Sequence, residues 1–266
     1  MQTLLWLVVV YAAVCVVAFF VNRMFMYFPD PERIAPAAAG LETAEEVEFA
    51  SSDGTRLVAW RVKAPAGRPT VLYFHGNAAN AATRAYKIKI IAESGYGVFY
   101  LNNRGYGGSQ GAPSEPANVT DAFAAYEHLK GLGVKPEDIF VYGESLGSGQ
   151  AVKLAAGKPV AAVGLEAPLQ STVAIGKQTY WFLPLGLILR DRYNNVKNIR
   201  DVHVPVVIVH GRHDDVIPLS HGQAIHAAAN EPKKFELVEE AGHSDLFNRG
   251  AWERVDSFFA SHRGSK

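Results

Sequence analysis

The sequence predicts an α/β fold with a mostly parallel, doubly wound sheet, and three observations support this prediction. Short runs rich in β-branched and aromatic residues recur along the chain. Stretches of helical composition alternate with these runs, and 266 residues are enough for one large domain with a substantial core. The predicted strands lie near residues 70–75, 97–101, 138–142, 161–165, 204–209 and 234–238. In sheets of this kind, functional sites form at the carboxyl ends of the strands.

The first predicted element is a transmembrane helix over residues 4–21, a run that is apolar throughout and carries no charge. Its 18 residues would rise about 27 Å as a helix, close to the hydrocarbon thickness of a bilayer. Asn22 and Arg23 end the run, and residues 24–28 have the composition of an interfacial belt. Residues 1–28 are therefore predicted to be a single-pass membrane anchor with its interfacial segment.

A cleaved signal peptide is the alternative for this segment. A signal peptide would start with basic residues and end at a small-x-small cleavage site, whereas residue 2 is a glutamine and residues 18–21 read Ala-Phe-Phe-Val. A lipoprotein signal would have a small residue before Cys15, where this chain has Val14. We therefore expect an uncleaved anchor. Because Arg23 is the side-chain charge nearest to the span, the positive-inside tendency predicts a cytoplasmic location for the domain that follows.

That domain is predicted to occupy residues 29–266 and to open with an antiparallel hairpin. Residues 29–40 are a linker that contains proline and alanine, and residues 47–50 and 57–62 flank the turn Ser-Ser-Asp-Gly at 51–54. The alternating strands and helices come after this hairpin.

A strand–turn–helix segment carries the strongest chemical signal. Residues 143–147 read Gly-Glu-Ser-Leu-Gly and lie between the strand near 138–142 and a helix of small residues over 148–156. This order is typical of the nucleophile elbow of the α/β-hydrolase fold. The glycines allow strand and helix to cross closely, and the helix directs backbone N–H groups at an oxyanion. Ser145 is therefore the predicted nucleophile, and a purely structural glycine-flanked turn is the alternative.

The same fold requires an acid and then a histidine downstream of the serine. Asp214 lies on the loop just past a buried strand and is the predicted acid, with the adjacent Asp215 as an alternative. Glu166, which closes an earlier strand, is a second alternative. His243 follows the last strand after a glycine and is the predicted base. It would take the proton from Ser145 while the acid fixes its tautomer.

Two backbone N–H groups are predicted to form an oxyanion hole. The strand near 70–75 runs into a His-Gly turn, and in this fold the loop that follows supplies one N–H while the residue after the nucleophile supplies the other. These are the N–H groups of Asn77 and Leu146. Ala78 is the one-residue alternative to Asn77, and a plain strand-ending turn with His75 packed beneath it is the structural alternative.

Residues 169–202 form the one long excursion between predicted strands, and we interpret them as a short helical cap. Residues 180–189 are its apolar stretch. Two interpretations of this stretch stay open: a wall for an acyl chain close to the membrane, or ordinary packing of the cap on the sheet.

Three further motifs resemble those of a known group. They are His-Gly-Asn-Ala at 75–78, Asn-Arg-Gly-Tyr-Gly-Gly-Ser at 103–109 and Pro-Ser-Glu at 113–115. The chain is similar, over nearly its whole length after about Phe28, to small, membrane-associated α/β-hydrolase-domain serine hydrolases. That group includes eukaryotic protein depalmitoylases and bacterial members, and its depalmitoylases carry an N-terminal cysteine cluster that this chain lacks.

The resemblance implies that Ser145, Asp214 and His243 form the catalytic triad, in agreement with the interpretation of the residues themselves. We expect Arg104 and Tyr106 to shape the loop after the strand at 97–101 rather than to take part in the chemistry.

Composition and motifs exclude several other classes of function. The chain has 26 basic and 26 acidic residues with no basic helix or stripe, which argues against a nucleic-acid surface. It has no H-E-x-x-H motif and only one cysteine, Cys15, so neither a metal site nor an internal disulfide is expected. The chemistry predicted for the triad needs no cofactor.

We therefore predict a serine hydrolase that cleaves carboxylic esters or thioesters of an acyl or lipid-like substrate through an acyl-enzyme at Ser145. The alternatives are an amidase or acyltransferase on the same triad, and a membrane-tethered binding or scaffold protein without turnover. Since no predicted site residue precedes Pro31, a chain that starts there is expected to hydrolyse short esters. The sequence leaves the oligomeric state open.

Overall fold

An eight-stranded, mostly parallel sheet with helices on both faces lies at the centre of the structure, a computed structural model that describes residues 1–262. The strands of the structure are β1 (Phe28–Pro29), β2 (Ala44–Ala50), β3 (Arg56–Val62), β4 (Thr70–Phe74), β5 (Ala78–Ala79), β6 (Gly97–Leu101), β7 (Ile139–Glu144), β8 (Ala162–Glu166), β9 (Val206–Gly211) and β10 (Lys233–Val238). The predicted α/β class and mostly parallel sheet are confirmed, and the predicted strand bounds differ from the observed ones by at most three residues.

The helices lie between these strands, mostly where the sequence predicts them. They are α1 (Gln2–Val21), α2 (Ala85–Glu93), α3 (Glu115–Gly131), α4 (Ser148–Gly157), α5 (Thr172–Thr179), α6 (Leu185–Ile188), α7 (Asn195–Asn198), α8 (Leu219–Ala228) and α9 (Ala251–Ser261). Side-chain caps fix three of the starts, those of α3, α5 and α7. The Oγ of Ser114 accepts a bond from the Ala117 N–H at 3.3 Å, the Oγ of Ser171 accepts one from the Ala174 N–H at 3.1 Å, and the Oδ1 of Asn194 accepts one from the Lys197 N–H at 3.3 Å.

The sheet has the strand order β10-β9-β8-β7-β4-β6-β3-β2. The pairs from β10 to β6 are parallel, and β3 pairs antiparallel with both β6 and β2, as the predicted hairpin requires. The carboxyl ends of β4, β7, β9 and β10 therefore share one edge of the sheet. A second, two-stranded sheet joins β1 to β5 at that edge, with Phe28 opposite Ala78.

The hydrophobic core has two main layers, one on each face of the sheet. On one face, α2 and α9 contribute Ile88, Ile91, Trp252 and Phe259, all nearly or fully buried. On the other face, α3, α4 and α8 cover the sheet with side chains such as Leu129, Leu154 and Ile225. This sandwich leaves only the strand ends and the loops that follow them available for a site.

A third, smaller cluster connects four distant parts of the chain. Its buried members are Tyr27 after the N-terminal helix, Leu146 after the candidate nucleophile, Leu169 and Tyr193 in the cap, and Ile217 after the candidate acid. The N-terminal segment is thus packed into the same cluster as the loops of the candidate site.

The N-terminal helix is the least covered element of the structure. No residue of α1 is buried, and residues 2–25 form a segment that is long and apolar enough to span a membrane, with a mean hydropathy of 2.9 over its 18-residue apolar window. Surface of this kind is stable next to lipid and costly in water.

An ion pair with a buried carboxylate fastens the end of this helix to the cap. The Arg23 guanidinium donates to both carboxylate oxygens of Asp191, at 2.8 and 2.9 Å, and the Asp191 side chain is fully buried. The Tyr27 hydroxyl donates to the same carboxylate at 3.1 Å, the Tyr193 hydroxyl lies 3.0 Å from the Tyr27 oxygen, and Asn118 of α3 donates to Tyr193 at 3.1 Å. The charge of Arg23 is therefore matched inside the protein. It is a weak guide to membrane orientation, and the cytoplasmic location stays a prediction.

Candidate active site

The candidate nucleophile lies on a strained turn at the carboxyl end of β7. Ser145 has a φ of +51°, in the left-handed region that costs a non-glycine residue energy, and it begins the short 3-10 turn that leads into α4. Such a turn lifts the serine side chain out of the strand–helix crossing.

Two glycines make this crossing possible. A Cβ on Gly143 would lie 2.8 Å from the Ala151 Cβ and from the Ser148 Cα, and a Cβ on Gly147 would overlap the carbonyl oxygens of Phe74 and His75. No larger residue fits either position without moving backbone.

The candidate acid and base are in direct contact. His243 Nδ1 lies 2.8 Å from Asp214 Oδ2, and the Asp214 side chain is fully buried while that of His243 is 18% exposed. The other carboxylate oxygen of Asp214 accepts bonds from the backbone N–H groups of Val216 and Ile217, at 3.0 and 2.7 Å. Because the carboxylate accepts, Nδ1 of His243 carries the proton and Nε2 remains able to accept one.

A second histidine, His210 at the end of β9, supports the same carboxylate. Its Nε2 lies 2.8 Å from the Ile217 carbonyl oxygen, which can only accept, so Nε2 carries the proton. The same nitrogen is 3.4 Å from Asp214 Oδ2. The sequence reasoning did not assign this role, and the spacing of four residues before Asp214 was the available signal.

These contacts set the protonation of the pair. Burial lowers the pKa of His243, but its hydrogen bond to Asp214 and the charge of that carboxylate outweigh burial, so the pKa is raised above 6.5. Burial raises the pKa of Asp214, but the hydrogen bonds from His210 and His243 reverse the effect and hold the pKa below its usual range.

The two alternative acids occupy other environments. Asp215 is exposed. Glu166 is buried, but it accepts a bond from Lys87 Nζ at 3.0 Å and another from the Tyr142 hydroxyl. Of these three carboxylates, Asp214 is the one that forms a hydrogen bond with His243.

The loop after β4 comes close to the candidate nucleophile. A Cβ on Gly76 would lie 3.4 Å from the Ser145 Cβ, so the backbone of this turn runs beside the serine. His75 packs beneath the turn: its Nε2 accepts from the Asn103 N–H at 3.1 Å and its Nδ1 lies 2.7 Å from the Gly76 carbonyl oxygen. Burial, with a contribution from the charge of Arg84, lowers the pKa of His75 to about 3 and keeps the ring neutral.

Three hydrogen bonds from elsewhere in the chain hold Asn77 in this loop. Its carbonyl oxygen accepts from the Phe28 N–H at 2.9 Å and from the Tyr106 hydroxyl at 2.7 Å, and its side-chain amide donates to the Met26 carbonyl oxygen at 3.2 Å. Tyr106 therefore positions the loop of Asn77, a role that the sequence reasoning did not assign. Arg104 lies further away and pairs with the buried Asp121 at 2.7 Å.

A network of paired charges, which the sequence reasoning did not anticipate, lies beside the serine. Lys87 is buried and its Nζ is 3.1 Å from Glu144 and 3.0 Å from Glu166. Arg84 binds Glu144 at 3.0 Å, and the Tyr73 hydroxyl donates to the same carboxylate. Burial alone raises the pKa of Glu144, but Lys87 and Arg84 outweigh it and hold the pKa well below its usual range.

These groups line one cavity of about 770 Å³. Ser145, Leu146, Asn77, Ala78 and His243 lie on its polar side, together with the paired charges. Its apolar walls come from the cap, through Ile175, Leu183, Leu185 and Leu189, and from the N-terminal segment, through Ala18, Val21, Phe25 and Met26. The cap stretch thus serves as a wall, and so does the end of α1, which the sequence reasoning did not predict.

Comparison with known proteins shows relatives over most of the chain. Residues 65–185 match the sequence family described as serine aminopeptidase, S33. An uncharacterized protein of Mycobacterium tuberculosis is 37% identical, over 84% of this chain and 81% of that protein. The uncharacterized protein YfhR of Salmonella typhi is 32% identical, over 84% and 81%. Human alpha/beta hydrolase domain-containing protein 17B is 33% identical, over 78% and 72%.

Solved structures share the fold at lower identity. A Pyrococcus furiosus esterase aligns with a TM-score of 0.70 at 21% identity, over 90% of this chain and 98% of that one. A Pyrococcus horikoshii acylaminoacyl peptidase aligns with a TM-score of 0.65 at 17% identity, over 83% of this chain and 41% of that one.

The paired-charge network yields a prediction about stability. Lys87→Met should lower the free energy of unfolding by about 3–5 kcal/mol, because it leaves two buried carboxylates with one cation between them. Lys89→Met, on the same helix but 60% exposed in its side chain, should change it by less than about 0.5 kcal/mol. Denaturation of the detergent-solubilised proteins measures both, and equal stability of the two variants would contradict the prediction.

Proposed function

Since the chain belongs to the α/β-hydrolase family that includes alpha/beta hydrolase domain-containing protein 17B and YfhR, we propose that it is a membrane-anchored serine hydrolase that cleaves carboxylic esters or thioesters. The observation that carries the proposal is the 2.8 Å bond between His243 and Asp214 at the rim of a cavity that also holds the strained Ser145.

In the proposed reaction, His243 Nε2 takes the proton from the Ser145 hydroxyl as that oxygen attacks the acyl carbonyl. The same nitrogen then returns the proton to the departing alcohol or thiol, which leaves an acyl-enzyme. Water deprotonated by His243 attacks the acyl-enzyme, and the carboxylic acid departs while Ser145 regains its proton. The N–H groups of Asn77 and Leu146 stabilise the oxyanion in both steps.

The cavity favours an acyl substrate over a peptide with a free amino terminus. An aminopeptidase needs unpaired negative charge to bind the ammonium group of its substrate. The two cavity carboxylates, Glu144 and Glu166, are matched by Lys87 and Arg84, so their charges cancel. The apolar walls suit an acyl chain, which is why we place amidase activity second.

Labelling with a fluorophosphonate probe tests the nucleophile and separates an enzyme from a catalytically idle scaffold. The wild-type protein should react covalently at Ser145, and Ser145→Ala should not react, because the probe needs the serine oxygen. Ser148→Ala, one helical turn further on and buried, is the matched control and should keep the label. Labelling of the Ser145 variant would disprove the assignment.

The acid and base are tested by hydrolysis of a short p-nitrophenyl ester at varied pH. His243→Ala and Asp214→Asn should each lower kcat/KM on the order of 10³-fold or more. Asp215→Asn and Glu166→Gln should leave kcat/KM nearly unchanged, because they keep the His243–Asp214 pair intact. Because activity needs neutral His243 and its pKa is raised, wild-type kcat/KM should fall as the pH drops, with a midpoint above 6.5. A midpoint below 6.5 would contradict the assigned pair.

The bonds that hold Asn77 change the expectation for the N-terminal segment. A chain that starts at Pro31 lacks Met26 and Phe28 and should lose part of its short-ester activity, contrary to the expectation from the sequence.

A gentler test removes only the hydroxyl group that binds Asn77. Tyr106→Phe should lower kcat about 3- to 10-fold, the effect of one lost hydrogen bond on a positioned loop. Tyr126→Phe, whose hydroxyl binds the Pro159 carbonyl oxygen at 2.8 Å, is the matched control and should keep the wild-type kcat. Equal kcat values for both variants would show that the bond to Asn77 does not matter.

A further inference from the structure

The apolar residues of the cap face in two directions. Leu183, Leu185 and Leu189 face the cavity and are explained by it. Trp181 and Leu187 are each 78% exposed and do not line the cavity, and Phe182 is 52% exposed. We call residues 180–187 the cap tip. Three large apolar side chains on its outer face are costly in water, so this face needs an apolar partner.

The cap tip lies alongside the N-terminal helix rather than at its end. The Tyr11 hydroxyl donates to the Phe182 carbonyl oxygen at 2.7 Å, and α6 packs against α1. Tyr11 precedes the last residue of α1 by ten positions, which corresponds to about 15 Å along the helix. The hydrocarbon core of a bilayer is about 30 Å thick, so a spanning α1 places the cap tip at hydrocarbon depth.

Charged residues flank the cap tip in the pattern of a membrane interface. Residues 178–189 carry no charge, while Lys177 and Arg190 stand at either side and are exposed. The Arg190 guanidinium lies over the ring of Phe19, 5.8 Å from its centroid and near the end of α1. Basic side chains at this level can reach lipid phosphates while their stems remain in apolar surroundings.

These two apolar elements line the same cavity. Ala18, Val21 and Phe25 form its wall on the side of α1, and the leucines of the cap form the wall opposite. The Arg23–Asp191 pair joins the two walls at their base.

We propose that the cap tip is embedded in the lipid bilayer beside α1, and that the acyl chain of a membrane-resident substrate passes between cap tip and α1 into the cavity without crossing water. The proposal rests on the proposed function for its substrate and on the membrane span of α1 for its geometry. Its partner is the lipid bilayer, because the exposed face is continuous with the spanning helix through the Tyr11–Phe182 bond.

Depth-dependent fluorescence quenching in the full-length protein tests the embedding. Cys15 is the one cysteine of the chain, so a Cys15→Ser background accepts a single new cysteine for labelling with nitrobenzoxadiazole. Leu187→Cys is the test position, and Leu132→Cys is the control, because Leu132 is 42% exposed at the far end of α3. In phosphatidylcholine vesicles with mid-chain nitroxide lipids, the label at 187 should be quenched at least twice as strongly as the label at 132.

Equal quenching at the two positions would overturn the proposal, and so would a shielded label at 187 that becomes accessible only when copies of the chain are diluted apart.

A second experiment measures hydrolysis of a substrate that is embedded in the membrane. Trp181→Ser combined with Leu187→Ser should lower hydrolysis of a long-chain ester embedded in vesicles at least 10-fold and leave that of a short soluble ester unchanged. Leu132→Ser should affect neither. If the double variant hydrolyses the embedded ester as well as the wild type does, the path through the bilayer is wrong. If the wild type hydrolyses no ester, the proposed function fails, while the quenching still reports the embedding.

Discussion

The arrangement of this protein depends on the ion pair between the buried carboxylate of Asp191 and the guanidinium of Arg23. The carboxylate binds Arg23 through two hydrogen bonds and Tyr27 through a third, and so joins the N-terminal helix to the cap. Ion pairs of this kind add little net stability, because desolvation offsets their attraction, but a broken pair is costly. The pair therefore acts mainly on specificity: it selects the one docking of α1 on the cap that encloses the apolar end of the cavity.

The charged side chains near Ser145 are also paired with groups of opposite charge. Lys87, Arg84, Glu144 and Glu166 cancel in pairs. Lys87, Arg84 and Glu144 keep their charged forms because their partners outweigh burial. The cavity thus has rigid polar groups at one end without a net charge that would attract water or counter-ions. Fixed dipoles of this kind need little reorganisation when charge develops beside them.

The sequence predicts the parts of the candidate site that depend on local order. Ser145 is recognisable because a strand, a glycine-flanked turn and a helix are adjacent in the chain. Asp214 and His243 are recognisable because each follows a strand whose end must reach the same edge of the sheet. What the sequence did not reveal depends on contacts between distant residues. Tyr106, Met26 and Phe28 reach Asn77 across 29, 51 and 49 residues, and nothing in their own surroundings marks them.

The distance along the chain between Arg23 and Asp191, 168 residues, has a consequence for biogenesis. The N-terminal helix leaves the ribosome while the sheet is still being made. Its partner in the cap is synthesised after four of the six parallel strands, β4, β6, β7 and β8, and before the other two, β9 and β10. The apolar wall therefore closes late in synthesis, and a nascent chain carries an open, incomplete cavity until the N-terminal helix receives the cap.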